Sequence, residues 1–335
     1  MRKTIILCIM FLSMGILYFL SGLGLFAPGS AYADLKTVMT LACEPSPPDN
    51  VPLLLEKFKE IAEAKAKGDL EIRFFPGGSL GTQRQIQQQV QLGTTEAMGT
   101  ASDMIEMEPK FSFVDFPFLF SGPEMVYRVL DGPIGQKLSQ KLIREKGIRI
   151  LCYGELGFRQ ITNRVRPIIH PDDLKGLKIR VPPVKLRVAA FKAMGAAATP
   201  IPYKELYTSL QQGVVDGQEN PVVTVKALSL WEVQKYISMS NHVYTPAYLL
   251  INEKFWQSLS LQMQNLLQES AIEARDWNRR DSKNSEQRIL EMAKAKGMKV
   301  NNINSEPFAK LARPLWDQFA DKVGRDILEK IIATR

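Results

Sequence analysis

The sequence predicts an α/β protein of two domains with one long helix near its C-terminus. Strand-like and helix-like stretches alternate in two separate runs, which implies a largely parallel sheet with covering helices. A stretch after Ser260 then carries no Pro or Gly until Gly297. The chain has 335 residues, enough for about two domains by length alone.

The first run opens with a strand at Lys36–Ala42, ended by Pro45, Pro47 and Pro48. Residues 51–67 carry Leu54, Leu55, Phe58, Ile61 and Ala62 at helical spacing, and Gly68-Asp69 stops them. Leu70–Phe75 alternates as a strand. Pro76-Gly77-Gly78 makes a loop, Thr82–Leu92 a Gln-rich helix closed by Gly93, and Glu96–Ala101 another strand. The rhythm returns after Gly147. Strands are expected at Ile148–Tyr153, Gly157–Thr162, Leu177–Val181 and Val214–Asp216, with helices at Lys185–Met194 and Tyr203–Gln212. Gly195 and Gly213 close those helices. The pattern puts a domain boundary near residue 156. After Ser260, Met263, Leu266, Leu267, Ile272, Trp277, Ile289 and Met292 recur at near-helical intervals, as one very long helix or two in tandem. A helix of about 35 residues would extend roughly 50 Å, long enough to run along two domains.

The N-terminus reads as a secretory signal peptide. Arg2 and Lys3 precede an apolar run from Ile5 to Phe26, and Ala31-Tyr32-Ala33 offers a small-x-small cleavage site before Asp34. Pro28, Gly29 and Ser30 break the helix where a peptidase needs extended chain. The alternative is an uncleaved anchor, since the run is long enough to span a bilayer. Cys8 lies inside that run and is lost with it. The expected mature protein is exported to the periplasm. Its remaining cysteines, Cys43 and Cys152, read as two buried free thiols, because a chain this size buries sufficient core without a bridge. The formal net charge of +8 is scattered, with no Lys/Arg block of the kind that marks a nucleic-acid or membrane patch.

Enzyme chemistry finds little support. Of the two histidines, His170 precedes Pro171-Asp172-Asp173 as a surface loop residue, and His242 in SNHVYTP reads as a satisfied structural histidine. Neither has a partner at metal-ligand spacing. No G-x-S-x-G elbow, Walker loop or dinucleotide fingerprint is present. Asp216 and Glu219, in GVVDGQENP, remain as a candidate acid/base pair. Without nucleophile, metal or cofactor motif, they read more simply as turn and salt-bridge residues.

That same stretch closes a longer segment, GLKIRVPPVKLRVAAFKAMGAAATPIPYKELYTSLQQGVVDGQENP, residues 176–221. With the preceding GFRQITNRVRPIIHPDDLKG, and with FFPGGSLG, VDFPFLF and WEVQKY elsewhere, it resembles the solute-binding proteins of TRAP transporters, the DctP family. The likeness covers essentially the whole mature chain. It implies two α/β domains around an interdomain cleft, the periplasmic-binding-protein fold, joined by strands and the long helix. It divides the chain into residues 34–156 plus about 246–285, and 157–245 plus about 286–335. It implies an organic acid bound in a closing cleft and delivered to membrane-embedded TRAP subunits by a monomer that needs no cofactor.

The resemblance also assigns residues. Arg180 in KIRVP matches the arginine that grips the ligand carboxylate, Arg159 in GFRQ a second basic contact, and Asn220 in QENP an amide on the same carboxylate. Tyr203 matches an aromatic packed on the ligand, and Glu44 a polar contact from the first domain. A guanidinium fork suits a carboxylate and keeps its charge. Asp216-Gly217 is then expected as a tight turn that aims Asn220 into the cleft, with Glu219 anchoring it or an arginine, and Arg164 and Arg166 solvated. Sialic-acid binders carry an acidic residue where Ala101 stands, which argues against that ligand. Glu44 disfavours a second carboxylate and favours hydroxyls, so a sugar acid is expected before a C4-dicarboxylate. Two other readings stay open: a ligand-sensing ectodomain retained by the Ile5–Phe26 helix, and an exported enzyme using Asp216 and Glu219.

Overall fold

A computed structural model describes residues 36–334. The expected signal peptide (residues 1–33) and Cys8 lie outside the described residues. Among the described residues ten strands form one sheet: β1 Thr37–Ala42, β2 Leu70–Phe75, β3 Ala97–Thr100, β4 Ile148–Asn163, β5 Lys178–Val181, β6 Ala197–Pro200, β7 Gly217–Pro221, β8 Tyr236–Met239, β9 Tyr244–Asn252 and β10 Lys299–Asn302. Their order is β2-β1-β3-β9-β4-β7-β5-β6, with β8 also on β4 and β10 on β8. The two ends of the path are parallel and the middle is antiparallel. The expectation of a largely parallel sheet is corrected to a mixed one. The reason is that β9 returns between β3 and β4, joining two α/β lobes through shared strands.

The sharpest difference lies in β4. The stretches expected as two strands, 148–153 and 157–162, are one strand of 16 residues. Its register against β9 shifts between Ile150 and Cys152 and again between Glu155 and Gly157. Gly157 adopts φ +118°, which a side chain would resist, so the strand bends there without ending. Its first part pairs only with β9, and its last residues pair with β7 and β8.

The long helix is single and runs from Leu261 to Ala295. Its buried residues are Leu267, Ser270, Ala271, Ala274, Asn278, Ser282, Ile289 and Ala293, most of them three, four or seven residues apart. Ile272 and Met292, which the apolar pattern assigned to the buried face, are exposed. Small residues replace them because the helix Asn50–Ala66 packs closely on it, burying Leu54, Leu55, Phe58 and Ala62. Each fully buried Leu or Phe there contributes about 1.5–3 kcal/mol. Polar ties fix the register. Asn278 Nδ2 donates to the Asn50 carbonyl at 3.2 Å, and the Glu155 N–H donates to Asn278 Oδ1 at 2.7 Å. Cys43 and Cys152 are both buried and free. Among the described residues, no helix is long and apolar enough to cross a membrane.

Candidate functional site

Glycine starts the strand that carries the polar knot. A Cβ on Gly217 would lie 2.2 Å from the Thr162 carbonyl oxygen, so only glycine lets β7 approach β4 this closely. Asp216, just before it, ties neighbouring strands. Its N–H donates to the Lys178 carbonyl at 2.8 Å, its Oδ2 accepts from the Lys178 N–H at 3.0 Å, and its carbonyl accepts from the Arg164 N–H at 3.1 Å. Two expectations are corrected here. Residues 214–216 are not a strand, and Gly217, expected in a tight turn with Asp216, is instead the first residue of the strand Gly217–Pro221.

β7 places Glu219 and Asn220 beside Arg159 of β4. Arg159 Nε donates to Glu219 Oε2 at 2.5 Å, and its Nη2 donates to Asn220 Oδ1 at 2.7 Å. Glu219 also accepts from Arg187 Nη1 at 2.8 and 2.9 Å and lies 3.0 Å from His242 Nε2. Arg187 reaches on to Asp115. Burial alone would raise the Glu219 carboxyl, but Arg159 and Arg187 hold it well below the usual carboxylate range. Burial lowers His242, with Glu219 opposing. Its Nδ1 meets Ser240 Oγ at 2.7 Å, so it is a satisfied structural histidine. Two arginines and two carboxylates balance in this cluster.

Arg180 is outside that balance. It is buried on β5, and its Nε donates to the Ile201 carbonyl at 2.8 Å. Among the described residues it pairs with no carboxylate, and its two terminal nitrogens carry no hydrogen bond. Burial, then repulsion from Arg159, lowers its pKa to about 10, which still leaves it charged at neutral pH. A buried cation with an uncommitted fork is costly until an anion meets it.

Arg180, Arg159, Asn220, Tyr203 and Glu44 all line one cavity of about 360 Å³. The second lobe supplies the first four, and Glu44 follows β1 of the first. The FFPGGSLG loop backs Glu44: the Gly78 N–H, at φ +66°, donates to the Cys43 carbonyl at 3.1 Å. Tyr203 Oη is 3.4 Å from Asp49 Oδ2 across the two lobes. Asp216 and Glu219 do not line the cavity, and they face different partners. Asp216 Oδ1 accepts from Arg164 Nη2 at 3.3 Å, while Glu219 is sealed behind Arg159. The acid/base pair is therefore not assembled. His170 is exposed, Arg164 is exposed, and Arg166 donates to the Asp173 and Lys175 carbonyls.

With this geometry in place, residues 43–322 match the model of the DctP family, described as bacterial extracellular solute-binding protein, family 7. The chain belongs to the DctP family. It is 32% identical over 318 residues to the 2,3-diketo-L-gulonate-binding periplasmic protein of Escherichia coli, covering 93% of this chain and 96% of that one. A TRAP periplasmic solute-binding protein from a Polaromonas species, bound to D-erythronate, superposes with TM-score 0.84 at 32% identity over 89% of this chain and 98% of that one. The sugar-acid-binding protein of Advenella mimigardefordensis, in complex with galactonate, gives TM-score 0.85 at 30% identity over 90% and 98%.

This DctP-family cavity also holds residues that the sequence reading missed. Asp49, Thr100, Asp103 and Thr224 line it. Asp49 caps the helix Asn50–Ala66, accepting from the Val51 N–H at 3.2 Å, and Thr224 Oγ1 lies 3.3 Å from its Oδ2. Burial raises Asp49 to about 6. An Asp ahead of a helical pattern is a legible cap, so DNVP offered a signal. Asp103 precedes a helix of four residues and offered none. Motifs quoted for the resemblance gain physical roles: Asp115 of VDFPFLF pairs with Arg187, and Gln234 of WEVQKY accepts from Thr162 Oγ1 at 3.0 Å.

Proposed function

We propose that this protein is the extracytoplasmic receptor of a TRAP-type transporter, holding an organic acid by its carboxylate and delivering it to membrane-embedded subunits. One observation carries the reading: Arg180 lines a cavity of ligand size with its fork unpaired. A carboxylate would meet that fork, with Asn220 adding a neutral donor and Arg159 a second positive contact. Tyr203 offers its ring and Glu44 a polar group from the opposite lobe. The acids bound by the relatives support a sugar acid as the ligand class.

In this reading the chain works as two bodies, 34–156 with about 246–285 and 157–245 with about 286–335. They close on ligand by bending near the middle of β4. The protein is exported with cleavage after Ala33, acts in the periplasm as a monomer, and performs no catalytic step. The test is a thermal-shift screen of the purified protein against organic acids. A ligand at 100 times its Kd should add about 2.7 kcal/mol. If none of a broad panel of sugar acids, hydroxy acids and dicarboxylates raises the melting temperature, the reading fails.

A further inference from the structure

The first-lobe wall of the cavity carries acids that the carboxylate clamp does not use. Glu44 and Asp103 both line the cavity and are half-buried. Neither forms a salt bridge among the described residues. The backbone N–H of Gln83 beside Glu44, and that of Asp103 itself, oppose the effect of burial. Glu44 is raised to about 6 by burial and then by Asp103. Asp103 is raised to about 6 by burial and then by Glu106, with Arg180 opposing. The nearby charges are Asp49, already tied to Tyr203 and Thr224, Glu106 and Arg84, both exposed at the rim, the buried Asp115 near Asp103, and, from the opposite lobe, Arg180 and the exposed Lys204 near Glu44. The two lobes thus carry opposite signs, buried arginines on one side and poorly paired carboxyls on the other.

Resting on the reading of an organic-acid receptor, we propose that Glu44 and Asp103 form the specificity-determining pair of the cleft. They take hydroxyl groups on the ligand carbons remote from Arg180 and expel a second carboxylate. A carboxylate accepts several hydrogen bonds, so it suits a row of hydroxyls. A dicarboxylate closed into this cavity would set its far charge beside two acids with no buried cation to pair it, and like charges across an interface are strongly penalised. Asp103 stands two residues beyond Ala101, so this wall is acidic although the position compared with sialic-acid binders is not.

The test is calorimetry with D-erythronate, L-gulonate and D-galactonate against succinate, on the wild-type protein and on Glu44→Gln, Asp103→Asn and the double variant. The best hydroxy-monocarboxylate should bind wild type about a hundredfold tighter than succinate, and the double variant should narrow that gap to about tenfold, mostly by gaining succinate. Lowering the pH from about 8 to about 5 should also improve succinate binding more in wild type than in the double variant, because the wall acids neutralise over that range only in wild type, while protonation of succinate itself is common to both. Neither measurement requires Arg180 to change. Succinate binding as tightly as the aldonates in wild type would overturn the proposal. So would a double variant that keeps the wild-type melting temperature and leaves the ratio unmoved. If none of the four acids binds, the hydroxyl-binding assignment of this wall fails, whereas the organic-acid reading itself fails only if the whole thermal-shift panel gives no binder.

Discussion

The guanidinium of Arg180 is oriented by one contact, its Nε–H on the carbonyl of Ile201 at 2.8 Å. Ile201 follows β6, whose parallel pairing with β5 sets Arg180 opposite Thr199. Backbone geometry therefore fixes the direction of the fork, and no counter-ion is spent in doing so. This is the arrangement expected of a residue kept for an incoming anion.

Arg180→Ala should cost the carboxylate ligand about 2–5 kcal/mol, or roughly 30- to several-thousand-fold in Kd. Arg180→Lys should also bind poorly, since a point charge cannot reproduce the fork. Neither change should lower the stability of the empty protein, because no ion pair is broken. Calorimetry showing wild-type affinity for Arg180→Ala would move the carboxylate site elsewhere.

Arg159→Ala should behave differently. It would leave Glu219 with one arginine fewer inside a sealed cluster, and breaking a buried pair typically costs about 3–5 kcal/mol. Urea unfolding of the empty protein should show this loss for Arg159→Ala and not for Arg180→Ala. Equal stability of the two variants would contradict the division of roles between the arginines.

The contrast shows what the sequence could and could not display. The resemblance singled out Arg180 in KIRVP, Arg159 in GFRQ and Asn220 in QENP, and the strands that carry those motifs bring all three to one cavity. The commitment of Arg159 to Glu219 was not legible, since those partners are 60 positions apart and meet only through strand pairing. Val214–Asp216 had strand-like composition, yet pairing begins at Gly217, where a missing Cβ admits the Thr162 carbonyl. Likewise, residues 154–156 stand as a gap between the two expected strands, whereas the positive φ of Gly157 lets β4 bend and continue. Asp103 carried no periodic or capping signal. Only the packing of two lobes brings it opposite Arg180.

Asp216→Ala should separate stability from affinity. Its carboxylate accepts from the Lys178 N–H and from Arg164, and lies away from the cavity. Removing it should cost roughly 1 kcal/mol of stability, with ligand affinity nearly unchanged. Asn220→Ala should lower both, weakening the ligand by about 1–3 kcal/mol and also costing stability, because its amide holds Arg159 Nη2 and Gln218 Oε1. Calorimetry and urea unfolding on both variants check that only Asn220→Ala moves the affinity. An Asp216→Ala protein that folds normally but loses its ligand would return Asp216 to the binding site.

The last prediction concerns pH and the middle of β4. Glu155 sits beside the register shift, buried, with its carboxyl on the Tyr127 hydroxyl. Burial raises it from 4.5 to about 7, with Arg279 opposing. A carboxyl raised on folding stabilises the folded state fully below its unfolded pKa, and that contribution is lost as pH rises through the folded value. The window therefore runs from about pH 4.5 to about pH 7, and the loss is of order 3 kcal/mol. Glu44, Asp49 and Asp103, each raised to about 6, act with the same sign. Glu219 acts with the opposite sign, since its depressed carboxyl loses stability only on acidification. The empty protein should thus resist urea better near pH 5 than near pH 8. Glu155→Gln keeps a polar group for Tyr127 and has no charge to bury. It should narrow the difference between the two pH values, chiefly by gaining stability near pH 8. If its pH dependence matches wild type, the Glu155 carboxyl is ionised in the folded protein, and burial at this bend does not carry the cost assigned to it.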